Sequence, residues 1–279
     1  MCRGRPPGRS RPPSLRRHMR LVCLALLALG LILAGSAGAQ IHLSGALSGA
    51  LAPGEYLVDS TIVINSGDSL VIAAGAHLSF TGWYPFKVNG VLLAEGTPTD
   101  SIIFDCNPMT NPSLWHGLRF NGSGASGSRL AYCRVSYGKA ETYWPENSGG
   151  GIFCMSCAPC FEHCRFSANN SSMYGAGVYL YNAPATFTDC MISHNTCVNQ
   201  GGGMYASLSA LTMTRCEVTN NSAGSGTGGG MVGISSAMTV RDCRFSYNTA
   251  GTSGGLHLNG NPSATFTNVL VDHNSSTGG

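Results

Sequence analysis

Residues 201–222, GGGMYASLSALTMTRCEVTNNS, are one of five lines that stack on one another in the second half of the chain. The others are GGGIFCMSCAPCFEHCRFSANN (149–170), GAGVYLYNAPATFTDCMISHNT (175–196), GGGMVGISSAMTVRDCRFSYNT (228–249) and GGLHLNGNPSATFTNVLVDHNS (254–275). Stacking puts Gly151, Gly177, Gly203, Gly230 and Gly255 in one column, spaced 26, 26, 27 and 25 residues apart. A fixed period of this size predicts a solenoid, in which each repeat is one coil that buries its apolar face against its neighbours.

Other columns agree with the glycines. Ile152, Val178, Met204, Met231 and Leu256 form an apolar column, and Cys164, Cys190, Cys216, Cys243 and Val269 form a second. Phe166, Ile192, Val218, Phe245 and Val271 follow two residues on, so alternate side chains point into one core, as strands require. A polar column, Asn169, Asn195, Asn221, Asn248 and Asn274, predicts amides that hydrogen-bond up and down the stack. The leucine-rich frame of a rival solenoid is absent, leaving an all-β parallel β-helix. Each coil should advance by about 4.8 Å, with the right-handed crossover general to parallel strands. Upstream, GEYLVDSTIVINSGDSLVIAAGAHLSF reads as short alternating strands, which places the first coils near Gly54.

The signals Gly-Gly-x-apolar (GGGI, GAGV, GGGM) and Phe-x-x-Asn (FSAN, FSYN) resemble the repeats of polymorphic outer membrane proteins. The upstream VNGVLLAEGT is similar to the early coils of exported β-helix proteins of the pectin-lyase-like superfamily. The resemblance implies the fold and a surface-displayed or adhesive role.

The first 39 residues read as a signal peptide: an Arg-rich start, the apolar run LVCLALLALGLILAG, and Ala37-Gly38-Ala39 as a small-x-small cleavage site. Met19 is an alternative start. Cleavage leaves residues 40–279 as one β-helix domain, with no membrane span, secreted or displayed at the cell surface. It also removes seven of the sixteen basic residues and none of the thirteen acidic ones, so the mature chain carries about −4. A charge-poor, mildly acidic surface has no footprint for nucleic acid. Gly278-Gly279 stands where the next coil would open, so the native sequence is expected to continue to a capping coil, and the uncapped end to self-associate.

Cys154, Cys157, Cys160 and Cys164 have the spacing of iron–sulfur ligands. However, Cys164 belongs to the core column, and Cys154 to an inward column shared with Leu180, Ala206, Gly233 and Leu258. No metal or cofactor is therefore expected. The ladder cysteines should pack as thiols, because in-register Cβ atoms lie farther apart than a disulfide prefers; Cys157, Cys160 and Cys197 are the better candidates for a bridge. Polysaccharide lyases and glycoside hydrolases need clustered carboxylates, with or without calcium, and no such cluster is visible in the repeats. An enzyme of that class with unrecognised residues is the alternative. The loop KAETYWPENSGG (139–150) interrupts the repeat, and its Glu141, Tyr143, Trp144 and Glu146 could stack on and hydrogen-bond a sugar. Extracellular glycans or surface proteins are thus the expected partners. The same loop could instead be a hydrophobic lid.

Overall fold

In a computed structural model of the chain, residues 40–260 and 263–278 are described. The predicted leader, its cleavage point and the choice between Met1 and Met19 lie outside them. Among the described residues no helix is long and apolar enough to cross a membrane.

One coil shows why the repeat folds as it does. Line 149–170 contributes four short strands, Ile152–Met155, Cys160–Glu162, Arg165–Ser167 and Asn170–Ser171. Each lies parallel to and in register with its equivalent in the next line, Val178–Tyr181, Thr186–Thr188, Met191–Ser193 and Thr196–Cys197. The coils stack the strands into four parallel ladders. Two of these ladders are joined through Gly54–Ile64, an 11-residue strand that serves one ladder with its first half and the other with its second.

The strands are too short to curve around the core, so the chain turns at corners made by single residues of positive φ. His163, Asp189, Arg215 and Asp242 hold φ of 51–54° at one corner, and Ala168, His194, Asn220 and Tyr247 hold 56–57° at the next. The left-handed region is uphill for side chains other than glycine, so each coil needs an offsetting interaction. The asparagine column supplies one. The Asn195 Oδ1 accepts from the Asn169 backbone N–H and from Asn169 Nδ2, both at 3.0 Å, while Asn195 Nδ2 donates to Asn221 Oδ1 at 2.9 Å. The glycine column leaves space for these amides. A Cβ on Gly177 would sit 2.6 Å from the Gly203 carbonyl oxygen and 2.8 Å from Asn195 Nδ2.

The core runs the length of the stack and is built from Phe, Ile, Val, Leu and thiols. Phe161 and Phe187 stack at 4.7 Å, one ring per coil, and Phe166 meets them edge-on. The cysteine column is fully internal. Cys190 and Cys216 Sγ donate to the Phe161 and Phe187 carbonyls, each at 3.5 Å, and burial holds the Cys164 and Cys190 thiols protonated. All ten described cysteines are free thiols. Cys157 is buried against the Phe120 carbonyl, Cys160 lies beside Glu162, and Cys197 is buried within a strand, donating to the Met173 carbonyl.

The coils begin earlier than Gly54. Ile41–Ala46 already pairs with Gly54–Ile64, with an irregularity between Leu43 and Gly45. Only Leu43 of that strand is buried, so it carries no alternation from which a strand could be read. At the other end, Leu258, Leu270 and Val271 remain exposed.

Candidate functional site

The first strand of each coil presents an outward column that runs in register from Lys87 through Arg119, Phe153, Tyr179 and Tyr205 to Val232. Its aromatic members stack: Phe153 on Tyr179 at 5.2 Å and Tyr179 on Tyr205 at 5.6 Å, with Tyr174 packed on Tyr205 at 4.7 Å. Although they point away from the core, Phe153 and Tyr179 are buried, because the segment after Lys139 folds back across them. Burial, with Tyr174 and Tyr179 alongside, pushes the Tyr205 phenol up to about 12.

Arg119 fixes that segment in place. Its Nη2 donates to the carbonyls of Pro145 (3.0 Å) and Ser148 (3.1 Å), and its Nη1 to those of His116 and Gly149 (both 3.4 Å). The guanidinium lies 4.3 Å from the Phe153 ring centroid, a cation–π contact, and its Nε is 3.4 Å from a Glu146 carboxylate oxygen. Burial brings its pKa down to about 10, which still leaves it charged at neutral pH. His116 is buried beside it and stacks under Trp83 at 4.2 Å. Burial and then the Arg119 charge bring His116 down to about 3, so the ring is neutral and its Nε2–H donates to the Glu146 carbonyl at 2.9 Å. Trp83 Nε1 donates to the Lys139 carbonyl at 2.8 Å and pins the other end of the segment.

The four residues singled out in the loop therefore part into two kinds. Glu146 is held by Arg119 and His116 and is a structural strut. Glu141 pairs with Lys139 at 2.8 Å but remains partly exposed. Tyr143, 87% exposed, and Trp144, 55% exposed, stand out from the surface, with Trp144 within hydrogen-bonding reach of Tyr179. The loop is both a lid over the aromatic column and a bearer of exposed rings.

Sequence inspection missed one constellation in the irregular first coils. His77 bridges two carboxylates, with Nδ1 2.7 Å from Glu55 and Nε2 2.8 Å from Asp105, beside a cavity of about 430 Å³. The Asp105 hydrogen bond, then the charges of Asp105 and Glu55, raise the His77 pKa against the opposing effect of burial. A raised folded-state pKa adds stability that is fully present below the ordinary value of 6.5 and is lost as pH climbs through the raised value. The stability lost in His77→Ala should accordingly be greatest near pH 5.5 and smallest near pH 9, with a difference of at most about 1 kcal/mol for so solvent-accessible a group. Urea titrations at the two pH values check it; equal losses would show that the bridge carries no charge. Among the described residues no group of three or more His, Cys, Asp or Glu side chains is arranged to hold a metal ion.

The family model described as "right handed beta helix region" matches residues 171–279. The chain is a right-handed parallel β-helix. The match covers four of the five regular lines, and the parallel ladders carry the same architecture back to Ile41. No curated protein and no solved structure matches the chain.

Proposed function

We propose that this β-helix is an exported or cell-surface scaffold that binds glycans through the loop after Lys139. Exposure of Tyr143 and Trp144 carries the proposal: two rings are held clear of the surface by a segment that Arg119 and Trp83 anchor at both ends. A pre-positioned ring loses little conformational freedom on stacking against a sugar, and the half-exposed Glu141 is a ready acceptor for hydroxyls beside it. The likeness of the repeats to polymorphic outer membrane proteins, and of the early coils to the pectin-lyase-like superfamily, supports a surface and carbohydrate setting. The leader motif supports export.

Glycan-array screening of the protein, followed by titration of the best ligand, tests this. Trp144→Ala should weaken binding by about tenfold, or about 1.4 kcal/mol, and Tyr143→Ser should weaken it less. Binding unchanged in both variants would remove the loop from the site. The second reading, a carbohydrate-active enzyme, is favoured by the Glu55–His77–Asp105 bridge beside its cavity. Release of reducing ends or unsaturated products from the same glycans, abolished in Asp105→Asn, would establish it in place of the scaffold.

A further inference from the structure

On the flank formed by the second and third strands of each coil, charges are arranged with alternating sign. Arg129 lies between Glu95 (3.0 Å) and Glu162 (2.7 Å), and Arg215 forms a forked pair with Asp189 at 2.6 and 2.7 Å. Arg244 meets Asp272 at 3.0 Å. Arg134 and Arg165 break the pattern. They are in-register partners on adjacent parallel strands, both are exposed, and among the described residues neither meets a carboxylate. Like charges directly opposed across a ladder are unfavourable, and here the two are carried on neighbouring strands whose backbones lie about 4.8 Å apart.

The pair opens into a cavity of about 440 Å³, whose lining also includes Tyr132, His163, Asp189 and Arg215. Tyr132 and His163 stack at 4.5 Å, 9° from parallel, and make a firm wall. Asp189 is already engaged by Arg215, and Glu217, also on the lining, lies two coils beyond Arg165, with Met191 in register between them. Neither carboxylate is therefore placed to neutralise the arginine pair. Two guanidinium forks side by side match the oxygens of a single oxyanion, each able to donate two parallel hydrogen bonds.

We propose that Arg134 and Arg165 form an oxyanion site, taking a sulfate, phosphate or carboxylate group between them. The cavity has room for such a group as part of a larger molecule. The site lies away from the Tyr143–Trp144 loop and does not rest on glycan binding there.

The test is the thermal midpoint of the protein in sodium sulfate, sodium phosphate and sodium acetate, each against sodium chloride at matched ionic strength. At least one oxyanion should raise the midpoint by about 2 °C or more over chloride, and the anion with the largest effect identifies the preferred group. Arg165→Gln should lose that increment. In chloride alone, Arg165→Gln should be as stable as the wild type or more so, because it relieves the repulsion. A purely structural arginine would give the opposite order. Arg241→Gln, an exposed arginine outside the cavity lining, should keep the full increment. No oxyanion increment in the wild type, or an equal increment in Arg165→Gln, overturns the proposal.

Discussion

Replacing Asn221 with alanine is expected to destabilise the protein by about 3–5 kcal/mol, because several buried groups lose their partners at once. The Asn221 Oδ1 accepts from the Asn195 N–H at 3.0 Å and from Asn195 Nδ2 at 2.9 Å, while its own Nδ2 donates to the Ile192 carbonyl at 2.9 Å and to Asn248 Oδ1 at 3.0 Å. The residue is 1% exposed, so water cannot replace what is lost. Aspartate should be worse than alanine near neutral pH: it would set a buried carboxylate against the Ile192 carbonyl and the Asn248 Oδ1. Two positions calibrate the effect. Asn220 is next in sequence, exposed, with φ of 56°, so Asn220→Gly should change little. Asn274 occupies the same column but is only half-buried, so Asn274→Ala should cost less than Asn221→Ala. Urea unfolding of the three variants gives the order directly. Equal losses at Asn221 and Asn274 would mean that the ladder's strength does not depend on burial.

What could be read from the sequence divides along the same line as the regularity of the coils. Between Gly149 and Ser275 the core, glycine and asparagine columns recur at nearly constant spacing, because each structural role falls to the same residue type in every coil. The spacing of the paired strands therefore equals the spacing of the motifs. In the first coils the loops vary. Glu55 and His77 are 22 residues apart and His77 and Asp105 are 28 apart, so no fixed period brings the three together on paper. Arg119 was hidden for a related reason. It continues the outward column of Phe153, Tyr179 and Tyr205, but the loop after Lys139 breaks the alignment just before that column becomes regular. Without Arg119 in view, Glu146 read as a free ligand when it is paired with a buried arginine. The opposed arginines were legible as residues but not as neighbours until the register of Arg134 on Arg165 was fixed.

Arg119→Met should cost about 3–5 kcal/mol, the range for leaving a buried polar cluster without its charged partner, and the loss should be felt first in the loop. Methionine approximates the length of the arginine stem and can keep its packing on Phe153, so the change isolates the loss of the guanidinium. The Ser148 carbonyl would then lose the Arg119 donor, the Pro145 carbonyl would keep only the Ser148 N–H at 3.3 Å, and Glu146 would lose its cation. Lysine keeps the charge but cannot reach several divergent carbonyls as a planar fork does, so Arg119→Lys should recover only part of the stability. Because coils interact chiefly with their neighbours, damage should stay local: amide exchange should quicken at residues 139–150 while the Asn195 and Asn221 amides in the later coils stay protected. The same variant bears on glycan binding. If Tyr143 and Trp144 bind sugars because Arg119 holds their loop, Arg119→Met should weaken glycan binding even though Arg119 is buried beneath the loop. A loop that loosens in exchange while glycan affinity stays unchanged would show that anchoring contributes nothing to recognition.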